Sequence, residues 1–197
     1  MKKAYDYFEK YLGILRKEKL YPNIVEVDGP SIFPVVKIKG QNFLSFCSNN
    51  YLGLAGNERV KRAVIQAISK YGIGSGSTRL LSGTLDIQLE FEKVLANFFG
   101  TESAITFSSG YLANIGVIRM LVDPFPYFQS FFEKSGLIIS DELNHAIIID
   151  GVRLAKAERE IFPHSDMKAL EKILSKNRRK RKLILTDGIF SMDGDYA

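Results

Sequence analysis

Apolar residues Tyr7, Phe8, Tyr11, Leu12 and Leu15 recur at three- and four-residue steps among lysines and glutamates. That period predicts an amphipathic helix over residues 3–19, closed by Pro22 and the Gly29-Pro30 pair. Two short β runs, 35–39 and 42–46, meet at Gly40-Gln41 and predict a hairpin. Val60, Ala63, Val64, Ala67 and Ile68 give residues 58–71 one apolar helical face, with Gly72 placed to end the helix. Another helix is predicted over 86–99, closed by Gly100. A regular alternation follows: strand 103–107, helix 110–122, strand 137–140, helix 145–157, strand 158–162, helix 165–175 and strand 183–185. Such alternation predicts an α/β fold, a mostly parallel sheet with helices on both faces. The aromatic stretch Pro124-Phe125-Pro126-Tyr127-Phe128, with Phe131-Phe132, interrupts it. Its prolines disfavour one long helix, and it reads as an insertion packed on the surface or against a partner chain.

Composition narrows the class. With 197 residues, 46% hydrophobic and 25% charged, the chain can bury a real core as one large domain or one and a half. The single cysteine, Cys47, allows no internal disulfide, so a cytoplasmic setting and a packed, inert thiol are expected. The N-terminus lacks the apolar run of a signal peptide, and no stretch is long enough for a membrane span. Much of the net charge of +5 lies in Arg178-Arg179-Lys180-Arg181-Lys182. Between a helix end and a strand, that run reads as a solvated loop complementing the helix dipole, and no nucleic-acid module accompanies it. No nucleic-acid partner and no metal site are expected.

Candidate chemistry falls at strand ends and turns. Ser108-Ser109-Gly110-Tyr111 joins a strand to a helix. Its free N–H groups suit a phosphate, though a plain turn with a serine cap has the same sequence. Asp141-Glu142-Leu143-Asn144-His145 follows a strand and starts a helix. His145 there is either a neutral ring able to stack on an aromatic ligand, or a capping histidine bonded to Asp141 or Glu142. His164 reads as a structural loop residue. Asn49, Asn50 and Tyr51 bond a carboxylate or close a turn. The loop 72–83 is glycine-rich but fits neither a dinucleotide fingerprint nor a P-loop. It is either a close-approach loop offering Arg79 to an anion or a flexible connector. The last stretch, Thr186 to Asp195, brings Asp187 and Ser191 to the carboxyl end of a strand, where open α/β sheets bind ligands.

Taken together and in order, Ser48 to Leu54, Gly-Ser-Gly-Ser-Thr-Arg at 74–79, Ser-Gly-Tyr at 109–111, Asp-Glu-Leu-Asn-His-Ala at 141–146 and Thr-Asp-Gly-Ile-Phe-Ser-Met-Asp-Gly-Asp at 186–195 resemble the α-oxoamine synthases. The resemblance runs from about residue 40 onward. It implies the aspartate-aminotransferase-like large domain (fold type I), incomplete at its C-terminal side, and pyridoxal 5'-phosphate as cofactor. It divides the chain into a helix and hairpin segment, 1–47, and the N-terminal part of the cofactor domain, 48–197. By the resemblance, Ser109, Gly110 and Tyr111 cradle the cofactor phosphate and His145 stacks on the ring as the catalytic residue of this half. Ser191 bonds the phenolic oxygen with Asp187 beside it. Asn49 meets the amino-acid carboxylate, and Thr78 and Arg79 reach the neighbouring subunit's site. The implied reaction is a decarboxylative Claisen-type condensation of an amino acid with an acyl-CoA, giving an aminoketone. Oxononanoate-synthase-like acyl transfer is the first expectation, with glycine C-acetyltransferase-like or serine-palmitoyltransferase-like activity as alternatives. The implied assembly is a homodimer, or a pairing with a second chain that supplies the rest.

Departures shape the remaining expectations. Gln88 stands where the family has a histidine, and Lys17 to Tyr21 offers no clear equivalent of a substrate-binding arginine. The family's Schiff-base lysine would fall after Ala197. The chain is therefore read as the N-terminal half of a catalytic enzyme, or as a lysine-less partner subunit. By itself it is expected to be inactive, to hold the cofactor weakly and to expose an apolar sheet edge.

Overall fold

The computed structural model describes residues 2–123 and 136–197. The aromatic stretch around Pro124 to Phe132 lies outside the described residues. The chain divides into two compact units, Met1–Leu85 and Asp86–Ala197.

The first unit begins with α1 (Lys2–Lys17), which presses Leu12 and Leu15 part-way out of water. It ends before the prolines: Lys19 turns into the left-handed region at φ 56° while Leu20 N–H caps the Leu15 carbonyl at 2.8 Å. Strands β1 (Val35–Ile38) and β2 (Gln41–Leu44) form the expected antiparallel hairpin, with Val36 opposite Phe43. Helix α2 (Glu58–Tyr71) is capped by Asn57, whose side chain accepts the N–H groups of Arg59 and Val60. Gly72, at φ 77°, closes it by donating to the Ile68 carbonyl. The glycine-rich loop then leads into α3 (Arg79–Ser82), a single turn. Cys47 is exposed, which corrects the packed thiol expected from its apolar neighbours Phe46 and Phe43. Phe46 itself is exposed, so that segment has no core to hide the thiol in.

The second unit carries the sheet. After α4 (Asp86–Phe99) and α5 (Gly110–Val122) come β3 (Leu137–Asp141), α6 (Ala146–Leu154), β4 (Glu158–Phe162), α7 (Met167–Lys176), β5 (Lys182–Leu185), β6 (Ile189–Phe190) and β7 (Asp195–Tyr196). The parallel order is β4-β3-β5, with Ile139 level with Glu160 and Ile184. Alternation along β3 sends its side chains to two cores. Ile138 packs with Ile118 and Val122 of α5 and with Ile148 and Val152 of α6. Leu137 and Ile139 pack with Phe162 and with Ala169, Leu170, Ile173 and Leu174 of α7. All five residues of β3 are buried, as a central parallel strand covered on both faces requires. Among the described residues β4 and β5 are the sheet's edges.

One expected strand is absent. Residues 103–107 run without a ladder; the Glu92 carboxylate instead accepts the backbone N–H and the hydroxyl of Thr106, at 2.8 and 2.9 Å. No described strand lies beside them to take those bonds.

Helices α5 and α6 meet closely at Gly151. A Cβ there would stand 2.7 Å from Ile118 Cδ1 and 3.4 Å from the Asn114 carbonyl oxygen. Ile118 is buried and has little room to yield. Gly151→Val is expected to lose about 2–3 kcal/mol by overpacking. A thermal or denaturant melt checks it; an unchanged midpoint would show that the helices can part freely.

Candidate functional site

Two turns converge at the carboxyl end of β3 and β5. The first leaves β3 at Asp141 and enters α6. The second leaves β5 at Leu185 and enters β6. Asn144, buried in the first turn, joins them. Its Nδ2 donates to the Ser140 hydroxyl at 2.9 Å and to the Leu185 carbonyl at 2.8 Å, and its Oδ1 accepts the Asp187 N–H at 2.9 Å. The Asp187 carboxylate returns the link, accepting the His145 N–H at 2.7 Å. Asn144, His145 and Asp187 thus tie both turns in a closed circuit. The local sequence did not mark Asn144 as the link, because the two partners that join the turns, Leu185 and Asp187, lie 41 and 43 residues away.

His145 is the N-cap of α6. Its Nδ1 accepts the Ile147 N–H at 3.1 Å, which leaves the ring proton on Nε2. The ring is exposed and helps line a pocket with Leu143, Asn144, Asp187, Ser191 and Met192. The alternative in which His145 bonds Asp141 or Glu142 does not hold. Those two carboxylates turn to His164 instead: Glu142 accepts its N–H at 2.9 Å and Asp141 lies 3.1 Å from its Nδ1. Sequence proximity favoured the wrong histidine, since Asp141 and His164 meet only because β3 and β4 pair in parallel.

Asp141 is 2% exposed and also accepts the N–H groups of Leu143 and Ser165, at 2.9 and 3.0 Å. Burial pushes its carboxyl upward, but those two N–H bonds and then His164 more than offset this and hold it below its ordinary range. His164 is raised from its ordinary value, first by its bond to Asp195 and then by Asp141.

Ser109 is the N-cap of α5, its hydroxyl accepting the Leu112 N–H at 3.2 Å. The serine cap and a phosphate cradle are compatible, because the N–H groups of Gly110 and Tyr111 lie in the first turn, where a helix gives them no internal acceptor. The space a Cβ would fill at Gly110 is open. Tyr111 reaches across to α6, its hydroxyl 3.5 Å from Asp150.

The other expected site residues belong to the first unit. Asn49 is exposed, with the Tyr51 hydroxyl 3.5 Å from its Oδ1. The turn is closed by Asn50, which donates to the Ile32 carbonyl at 2.8 Å and accepts the Ala55 N–H at 3.2 Å. Thr78 caps α3 through its carbonyl, which accepts from Leu81 and Ser82. Arg79 donates from Nε to the Thr84 hydroxyl at 3.3 Å.

A parallel sheet with helices on both faces thus opens, at the carboxyl ends of its strands, on a pocket lined by His145, Asp187 and Ser191, the place where α/β folds of this class bind ligands. The model of the aminotransferase class I and II family matches residues 41–197, and the chain belongs to that family. Its relatives include the 8-amino-7-oxononanoate synthase of Treponema denticola, 44% identical over 194 residues, 98% of this chain and 46% of that protein. The synthase of the same name from Petrotoga mobilis is 50% identical over 165 residues, 82% of this chain and 39% of its own length. Among solved structures, the serine palmitoyltransferase of Sphingomonas wittichii superposes with a TM-score of 0.78 at 30% identity, covering 98% of this chain and 46% of that one. A serine palmitoyltransferase holding pyridoxal phosphate gives a TM-score of 0.84 at 30% identity over 97% of this chain and 48% of that one. The chain spans about half the length of the curated relatives it matches. The resemblance to the α-oxoamine synthases read from the motifs is borne out, as is the fold it implied. Among the described residues no helix is long and apolar enough to cross a membrane.

Proposed function

We propose that this chain forms the cofactor-binding half of a pyridoxal-phosphate-dependent acyl-CoA:amino-acid C-acyltransferase of the 8-amino-7-oxononanoate synthase kind. The observation that carries the reading is the circuit of Asn144, His145 and Asp187 beside Ser191 at one pocket. His145 and Ser191 line one pocket, where they could hold an aromatic ring and its phenolic oxygen, and the open backbone at Gly110 suits a phosphate. The residues present fit the group. Pyridoxal phosphate, when bound, supplies the electron sink that lets an amino acid lose a proton or a carboxylate at its α-carbon.

The chain's own residues then have separable tasks. His145 offers its ring face, and its position is fixed at the backbone by Asp187 and at Nδ1 by Ile147. Ser191 can donate its hydroxyl to a phenolate oxygen. Ser109, Gly110 and Tyr111 hold the phosphate by N–H donation at the positive end of α5. Asn49 binds the amino-acid carboxylate, and Thr78 and Arg79 serve a neighbouring subunit in a cytoplasmic homodimer. In domain terms, 1–47 precedes a cofactor domain that begins at 48.

The test is made on the enzyme completed by its remaining half, with alanine, glycine or serine and a panel of acyl-CoAs, read by mass spectrometry. An aminoketone is expected, equal to the joined substrates less one carbon dioxide and one free CoA thiol, both released in equal amount. His145→Ala and Ser191→Ala should each weaken pyridoxal phosphate binding by about tenfold or more, the size of one or two lost contacts. Unaltered cofactor affinity in both variants would overturn the assignment of the pocket.

A further inference from the structure

The β6–β7 hairpin carries Ser191 and Met192 into the pocket, yet each of its strands has only two residues. A two-stranded ladder of that length is not stable by itself in water. Something outside the ladder must hold it. His164 is in contact with both of its strands. Its Nε2 lies 2.7 Å from Asp195 Oδ2 in β7, its Nδ1 lies 3.1 Å from Asp141 Oδ1, and its ring stands edge-on to Phe190 of β6, centroids 4.4 Å apart. Phe190 is buried, and the second oxygen of Asp195 is buried without a hydrogen-bond partner. The hairpin therefore rests its buried ring, Phe190, and the half-exposed carboxylate of Asp195 on the same imidazole.

We propose that His164 is a positioning residue that clamps the Ser191-bearing hairpin to the carboxyl end of β3 by bridging Asp141 and Asp195. Both ring nitrogens face carboxylate oxygens. A neutral imidazole has one N–H and can satisfy only one of them; the imidazolium satisfies both. Among the described residues, the charged groups bonded to His164 are acidic: Asp141 from β3, Asp195 from β7, and Glu142, which takes the backbone N–H of His164. The Ser165 hydroxyl, 3.5 Å from Nε2, is neutral. The clamp is thus complete with the proton on, in keeping with the raised affinity of His164 for it. A raised histidine contributes fully below its ordinary 6.5, and its contribution is lost as pH climbs through the raised value. The hairpin should loosen toward alkaline pH.

Hydrogen exchange of the natural protein, followed by mass spectrometry from roughly pH 6 to 9 and corrected for intrinsic rates, reads this directly. In His164→Phe, which keeps a ring against Phe190, exchange over residues 189–196 should rise about tenfold, the worth of a charge-assisted hydrogen bond. His164→Gln keeps a donor toward Asp195 but cannot titrate. It should restore part of the protection and abolish its pH dependence. Asp195→Asn should loosen the same segment without touching β3. Three results overturn the proposal: unchanged hairpin exchange in His164→Phe, an equal rise throughout α5 and α6, or an undiminished pH slope in His164→Gln. The step from hairpin to cofactor rests on the function proposed above. Exchange is measured without added pyridoxal phosphate, so a loosened hairpin with unaltered cofactor affinity supports the clamp and counts against that function.

Discussion

Asn144→Ala is expected to be among the most damaging single changes to the site, costing about 2–4 kcal/mol of stability through buried groups left unpaired. Three partners lose their bond at once: the Leu185 carbonyl, the Ser140 hydroxyl and the Asp187 N–H. Ser140 is buried, so water cannot replace the lost partner there without entering the strand end. With Asp187 released, the N–H of His145 loses its carboxylate as well. Pyridoxal phosphate affinity should therefore fall together with stability, by more than either His145→Ala or Ser191→Ala alone. Asn144→Asp separates the parts. It keeps an acceptor for Asp187 N–H but sets a carboxylate against the Leu185 carbonyl. It should be no better than alanine. Denaturant melts and cofactor titrations of both variants check this; a variant with wild-type affinity would remove Asn144 from the site.

The second large effect is expected at Asp141. Its carboxylate gathers two backbone N–H groups and His164 in a position almost closed to water. Asp141→Ala should cost about 3–5 kcal/mol, because it leaves those donors and a histidine cation without their anion. The pH dependence follows from the direction of its shift. A carboxyl held below its ordinary 3.8 lends stability that is full above that value and is lost as pH falls through the lowered one. Acid unfolding of the natural protein should set in below about pH 4, and Asp141→Ala should flatten that limb. An acid limb of equal steepness in the variant would assign it to other carboxylates.

What the sequence revealed and what it hid divide by distance along the chain. Helices α2, α4 and α5 and strand β4 lie where periodicity and glycine or serine punctuation put them, because those signals act within a few residues. His145, Asp187 and Ser191 were legible as strand-end residues for the same reason, and the structure draws them to one pocket. The failures are long-range. Residues 103–107 have β-forming side chains but no described strand to pair with. Local pattern could not say that Asp141 would choose His164, 23 residues on, over His145, four residues on. Nor could it show that Asp195, which reads as a turn residue, would find the same ring from 31 residues away. Cys47 failed through burial: its neighbours are apolar but exposed.

The link between Asn144 and Leu185 has a consequence for how the protein is made. The two residues are 41 apart. At a synthesis rate of roughly 5–20 residues per second, Asn144 leaves the ribosome roughly 2–8 s before its partners. Within that interval, once Phe162 has emerged, α5 and α6 can pack on one another and β3 can pair with β4, because all these elements precede Leu185. The pocket cannot close, and the polar end of β3 stays wet. The pocket thus matures after the helices and strands beneath it, and any quality control acting on the nascent chain would meet that scaffold before it met the pocket.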